Sequence, residues 1–238
     1  MLGVSVCMAT FNGEKYIERQ LKSILEQLGL NDELIVSDDD SSDQTLAIVE
    51  SFQDPRIKIF PHAGLRKASA NFNRAIEQSK GQIVVLADQD DEWLEGRMAF
   101  IKDKLGGKNK TLLFLDGHMV NEQGNTLQPS IHKYLKARKG VVQNFWRNTY
   151  MGCCLAFTAD LKPIVLPIPY KVPMHDSWIG ILAECYGEVV LYSFKSLKYR
   201  VHGQNASLQG FGFKTKIVWR IVLLYELIKR TWKLYKGR

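Results

Sequence analysis

Residues Asp88-Gln89-Asp90-Asp91-Glu92 place four carboxylates within five positions, directly after the apolar run Ile83-Val84-Val85-Leu86-Ala87. Like charges held this close repel one another and raise their own pKa values unless a positive partner sits between them. An Asp-x-Asp pair where a buried strand ends can jointly hold a hard divalent cation, directly or through water. Mg2+ and Mn2+ prefer oxygen ligands, and Mg2+ in particular is usually held by one or two carboxylates together with substrate phosphates. Asp88 and Asp90 are therefore read as ligands of Mn2+ or Mg2+ that arrives with a phosphorylated ligand.

Other motifs imitate parts of this pattern. Asp39, Ser41, Asp43 and Glu50 fall at EF-hand ligand positions, but Gln44 stands where a glycine is required and a strand comes first. Aspartyl-phosphate phosphatases also carry Asp-x-Asp after a strand, usually followed by a small or β-branched residue; here Asp91 and Glu92 follow. Residues 62–69 lack the first glycine and the spacing of a Walker A loop, and there is no G-x-S-x-G elbow.

The elements that must carry these residues follow from hydrophobic patterning. Val4 to Ala9, Glu33 to Ser37, Ile57 to Phe60 and Gln82 to Ala87 read as strands. Amphipathic segments alternate with them, at Tyr16 to Leu28, Thr45 to Phe52, Ala70 to Gln78 and Glu95 to Leu105. Such alternation predicts an α/β domain with a parallel sheet, whose ligands bind beyond the carboxyl ends of the strands. Three strand ends carry polar clusters: Thr10-Phe11-Asn12-Gly13-Glu14, Asp38-Asp39-Asp40-Ser41-Ser42-Asp43, and the acidic run at Asp88. Helix capping by Ser42 or Asp43 accounts for part of the second cluster. It leaves Asp88 and Asp90 unexplained.

Composition sets the outer limits. A chain of 238 residues with 45% apolar and 24% charged residues is an ordinary globular sequence. Cys7, Cys153, Cys154 and Cys185 show no zinc-ligand spacing and read as small core residues in a reducing compartment. The start reads directly into a strand, with no secretory leader pattern. The net charge of +7 equals the balance of residues 214–238 alone, so no basic surface spreads over the body and a nucleic-acid partner is not expected. Ile217, Ile221, Leu224, Ile228, Trp232 and Tyr235 form one apolar stripe at helical spacing in that basic tail, with no uninterrupted run long enough to span a bilayer. A basic helix with Trp and Tyr at its apolar edge suits an anionic membrane surface; docking on its own domain or on a second copy is the alternative.

The motifs Val4 to Glu14, Val36 to Asp43 and Ala87-Asp88-Gln89-Asp90-Asp91-Glu92-Trp93 resemble the successive signatures of family 2 glycosyltransferases with the GT-A fold, most nearly the bacterial rhamnosyltransferase-like branch. Met151 to Phe157, Met174-His175-Asp176 and Tyr199 to Asn205 continue the resemblance, which covers roughly residues 3 to 207. It implies an inverting, metal-dependent enzyme that moves a sugar from a UDP- or dTDP-linked donor. Thr10, Phe11, Glu14, Asp39, Lys67, Asp88 and Gln89 fall at donor-binding positions, with Asp39 accepting the base N–H. Arg66 and Asn71 share the segment with Lys67. Asp88 and Asp90 would bridge through the metal to the diphosphate, with His202 as a further metal ligand. Asp176 corresponds to the base that takes the acceptor proton, with a plain cap of the helix that begins there as the alternative. Asp40 departs from the family, which usually has glycine at this place. Trp93 and Trp178 either wall the sugar sites or pack in the core.

The expectation is a GT-A domain over residues 1–213, divided into a donor half (1–92) and an acceptor half (93–213), followed by the basic helix 214–238. Its acceptor would be a hydroxyl of a glycolipid or lipid-linked oligosaccharide in bacterial surface polysaccharide synthesis. It would act as a cytoplasmic protein peripheral to the inner membrane face, as a monomer or a homo-oligomer. A catalytically silent nucleotide-sugar-binding module and a metal-dependent phosphatase are the competing readings.

Overall fold

The computed structural model describes residues 3–61, 66–203 and 212–237. Its elements are β1 (Val4–Thr10), α1 (Ile17–Leu25), β2 (Glu33–Asp38), α2 (Thr45–Ser51), β3 (Ile57–Pro61), α3 (Ala68–Gln78), β4 (Ile83–Asp88), β5 (Glu92–Trp93) and α4 (Arg97–Leu105). The second half adds β6 (Thr111–Val120), β7 (Thr126–Gln128), α5 (Ile131–Leu135), α6 (Val141–Trp146), β8 (Leu155–Thr158), α7 (Lys162–Val165), α8 (His175–Tyr186), β9 (Glu188–Arg200) and α9 (Phe213–Lys236).

One sheet runs in the order β3-β2-β1-β4-β8-β6-β9-β5, with β7 beside β6. The first four strands in this order are parallel; the apolar runs of β1, β2 and β4 reflect burial on both faces, while β3 is the half-buried edge. The sheet is mixed beyond them, because β8 lies antiparallel to both β4 and β6. α3 packs on β1 and β2 and buries Phe72, Ala75 and Ile76. Phe72 and Ile76 each contribute about 1.5–3 kcal/mol by leaving water, and the Ala75 methyl about 0.8 kcal/mol.

Strand order reverses between β1 and β4, so a crevice opens beyond their carboxyl ends. Trp178 is fully buried and donates Nε1–H to the Val165 carbonyl at 2.7 Å, and Trp93 is buried against the Arg97 guanidinium, so both are core residues. Cys7, Cys153 and Cys154 are buried as expected, but Cys185 is exposed.

The tail is helical, and the apolar stripe read from its spacing is not the face that docks on the body. Leu223, Leu227 and Arg230 dock on the body, while Ile217, Ile221, Leu224, Ile228, Trp232 and Tyr235 face outward. α9 is thus apolar on two sides. Among the described residues no helix is long and apolar enough to cross a membrane.

Candidate active site

The register pairs Thr10 with Asp38 and Ala9 with Asp88, which brings the three polar strand ends to one level. The loops after β1 and β2 are laced together. Asp38 is fully buried and accepts hydrogen bonds from Thr10 Oγ1 (2.7 Å) and from the Ser41 amide (2.8 Å) and hydroxyl (2.7 Å). Asn12 Oδ1 accepts from the Ser42 amide, and Glu14 Oε2 accepts from the Gln44 amide at the start of α2. Asp40 holds a left-handed φ of 66°, the conformation that explains a glycine at this place and that Asp tolerates better than most residues.

Gln89 spans from the end of β4 to the β1 loop. Its side-chain amide both accepts from the Phe11 N–H and donates to the Phe11 carbonyl, each at 2.9 Å. A Cβ on Gly13 would stand 2.3 Å from Gln89 Oε1, so only glycine leaves room for this brace. Asn71 acts on the same loop by donating to the Thr10 carbonyl at 3.0 Å.

These loops wall a cavity of about 330 Å³ lined by Thr10, Phe11, Asp39, Lys67, Asp88, Gln89, Asp90 and Asp176. Of the expected donor residues, Glu14 alone does not line it, because its carboxylate is turned to α2. Asp39 Oδ2 accepts from the Lys67 amide at 3.0 Å, while the Lys67 ammonium reaches toward the Tyr170 carbonyl. Arg66 lies over the Phe11 ring, 5.6 Å from its centre. A larger cavity, about 570 Å³, opens beside Pro167, Tyr170, Glu226 and Arg230, but carries none of the expected site residues.

Burial, together with Asp90 and Asp176 nearby, pushes the Asp88 carboxyl up to about 7. Asp91 is buried, accepts from the Arg200 amide at 3.2 Å, and is held well above the usual carboxylate range by burial, Asp90 and Asp88. His202 Nε2 lies 2.7 Å from Asp90 Oδ2, with its ring stacked on Tyr16. A carboxylate cluster that cannot stay fully ionised, with an imidazole against it, fits a hard divalent cation. The Cys153 thiol also sits against Asp88 and Asp91, all three ligand atoms lying within 4.8 Å of one another. A hydrogen bond with Cys154, then burial and the nearby Asp91, hold this thiol protonated, and a thiol is a poor partner for Mg2+ or Mn2+. Nothing in its spacing marked Cys153.

Asp176 lies in the first turn of α8, two residues past the cap position held by Met174, so it is not the cap. Its Oδ1 accepts from Asn148 Nδ2 (3.1 Å) and from the Ser177 amide (2.6 Å). Burial nevertheless pushes its carboxyl up to about 7. His175, absent from the expected site, lines the same cavity stacked on Phe72, and burial pushes it down to about 3, so it is neutral.

Glycosyl transferase family 2 matches this chain over residues 5–161. The chain belongs to that family. A GalNAc(5)-diNAcBac-PP-undecaprenol β-1,3-glucosyltransferase of Campylobacter jejuni is 38% identical to it over 95% of this chain and 73% of that protein. A dTDP-rhamnosyl transferase of Shigella flexneri is 36% identical, over 88% and 76% of the two chains. The crystal structure of S. aureus TarS with UDP-GlcNAc superposes with a TM-score of 0.71 and 19% identity, covering 94% of this chain and 66% of that one. That likeness is one of fold, and the mixed sheet of this family 2 glycosyltransferase is the GT-A sheet.

Proposed function

We propose that this enzyme transfers a sugar, with inversion, from a UDP- or dTDP-sugar to a hydroxyl of a lipid-linked saccharide. The observation that carries the reading is the shared cavity: Asp88 and Asp90 stand at the end of β4, and Asp176 enters the same space from α8. Asp176 takes the proton of the acceptor hydroxyl as its oxygen attacks the anomeric carbon, and the nucleotide diphosphate leaves with the electron pair of the broken bond. A carboxyl raised to about 7 is well matched to that exchange at neutral pH. Asp88 and Asp90, with His202, would hold Mn2+ or Mg2+. The ion would supply Lewis-acid stabilisation of charge on the departing diphosphate.

Asp39, Thr10 and Phe11 supply the nucleotide end. The buried Asp39 carboxylate suits the imide N–H of uracil or thymine, and a UDP-sugar or dTDP-sugar donor is named for related proteins. Lipid-linked acceptors enter the reading through the diphosphoundecaprenol-linked substrates in the relatives' names. The outward stripe of α9, flanked by Lys214, Lys229, Lys233 and Lys236, supports seating at the anionic inner face of the membrane.

Thermal unfolding with a panel of nucleotide-sugars in Mn2+ tests the reading, because a bound donor raises the melting temperature by mass action. A preferred UDP- or dTDP-sugar should stabilise the chain and release its nucleotide when acceptor is added. Stabilisation without release would make it a silent binding module.

A further inference from the structure

A second cavity of about 680 Å³ meets the first at Asp176. Met151, Pro173, Met174 and Asp176 line both. Its far wall is built from α9 and from α6 with its following loop, through Phe145, Trp146, Trp219 and Leu223. Arg147, Lys216 and Arg220 line the same space, and Asp176 is the only acid among its described lining residues. Arg220 ties the two walls by donating to the Trp146 carbonyl. The two helices that build this wall also carry exposed apolar side chains, Val142 and Trp146 on α6 and Ile217, Val218 and Ile221 on α9.

The cavity joins the carboxylate it shares with the first cavity, three cations lining a wall that also holds aromatic rings, and helices that carry exposed apolar side chains at neighbouring positions. A sugar hydroxyl suits the first, a phosphate the second and a hydrocarbon chain the third. We propose that this groove is the acceptor site, and that it takes an amphiphile whose sugar is joined to its lipid through an anionic phosphate, with Arg147, Lys216 and Arg220 holding the phosphate. The proposal rests on the transferase reading above and gives α9 a part in substrate choice besides membrane seating. Charge complementarity selects this occupant over a neutral glycoside, and continuity with Asp176 selects it over a partner protein.

The test uses the full chain without added divalent ion, and follows tryptophan fluorescence during titration with farnesyl diphosphate, inorganic pyrophosphate or farnesol. Farnesyl diphosphate should bind at least tenfold more tightly than either fragment. Lys216→Glu and Arg147→Glu should each weaken it at least fivefold, while Lys216→Arg keeps the parental affinity; both Glu variants alter exposed side chains, and circular dichroism checks that they fold. Equal affinity for farnesyl diphosphate and pyrophosphate, displacement by UDP, or indifference to both reversals would overturn the assignment. A parallel UDP titration with Mn2+ separates the two readings. A parent chain that binds no UDP fails the transferase reading, whereas one that binds UDP but shows unchanged farnesyl diphosphate affinity in the reversals fails this one.

Discussion

Asn148 donates its side-chain amide to Asp176 Oδ1 at 3.1 Å, fixing a buried carboxylate that stands in both cavities. The bond leaves the carboxylate oriented but still basic, since burial outweighs the hydrogen bonds in setting its pKa. Asp176→Asn keeps the shape and the acceptor oxygen for Asn148 while removing the base. Turnover should fall by about 10²–10⁴-fold, the usual contribution of a positioned general base. Asn148→Ala should reduce kcat by a smaller factor with little change in donor KM, as measured by steady-state release of the nucleotide.

The same carboxyl makes stability depend on pH. Its pKa rises from the ordinary 3.8 to about 7 on folding, so between those values the folded chain holds a proton that the unfolded chain has lost. This group's contribution is full below about pH 4 and is lost as pH rises through about 7. Asp176→Asn should therefore be more stable than the parent at pH 8, by up to roughly 4 kcal/mol at about 1.4 kcal/mol per pKa unit, and unfold at a higher temperature. At pH 4 the two melting curves should nearly coincide.

The pH profile of kcat/KM should rise toward neutrality with a midpoint near 7, because Asp176 works only without its proton. Asp88 is held at about 7 as well and must lose its proton to bind a cation. The ascending limb should then be steeper than a single ionisation gives.

The Gln89–Phe11 brace predicts a non-additive pair. Gln89→Ala removes both hydrogen bonds to the Phe11 backbone, and Gly13→Ala drives a Cβ into the Gln89 amide. Each loss should weaken nucleotide binding by about 1–2 kcal/mol. The double variant should be little worse than either single one, as calorimetric titration with UDP would read out.

The two apolar sides of α9 should separate in experiment. Leu223→Ala or Leu227→Ala, on the docked side, should destabilise the fold by about 2–3 kcal/mol in denaturant melts. Ile221→Glu with Ile228→Glu, on the outward side, should leave the melt unchanged but abolish co-sedimentation with anionic vesicles. Raised salt should weaken the parent's vesicle binding.

Much of this architecture could be read from residue order, and the gaps have physical causes. β1, β2 and β4 are legible because strands buried on both faces must be apolar throughout, and the polar clusters at their ends then stand out. β6 is hidden, since Asp116 interrupts its apolar run and is made tolerable by partners that lie apart in sequence, Lys195 79 positions away and Ser130. The resemblance puts Glu14 at the nucleotide; which way a loop carboxylate turns depends on the Gln44 amide it meets. For α9 the stripe was visible, but Leu223 and Leu227 form a second one, and only packing decides which of the two is covered. Cys153 carries no ligand spacing and reaches the acidic cluster through tertiary contacts, whereas His175 enters the site as the direct neighbour of Asp176.

The most direct measurement is the affinity of UDP for the parent and for Asp90→Asn, by calorimetry with Mn2+ and again with chelator. The acidic pair should make Mn2+ tighten UDP binding at least tenfold in the parent, with that gain and sugar transfer both lost in the variant. Equal affinity under both conditions, with Asp90→Asn turning over at the parental rate, would contradict a donor diphosphate held through an ion at the end of β4.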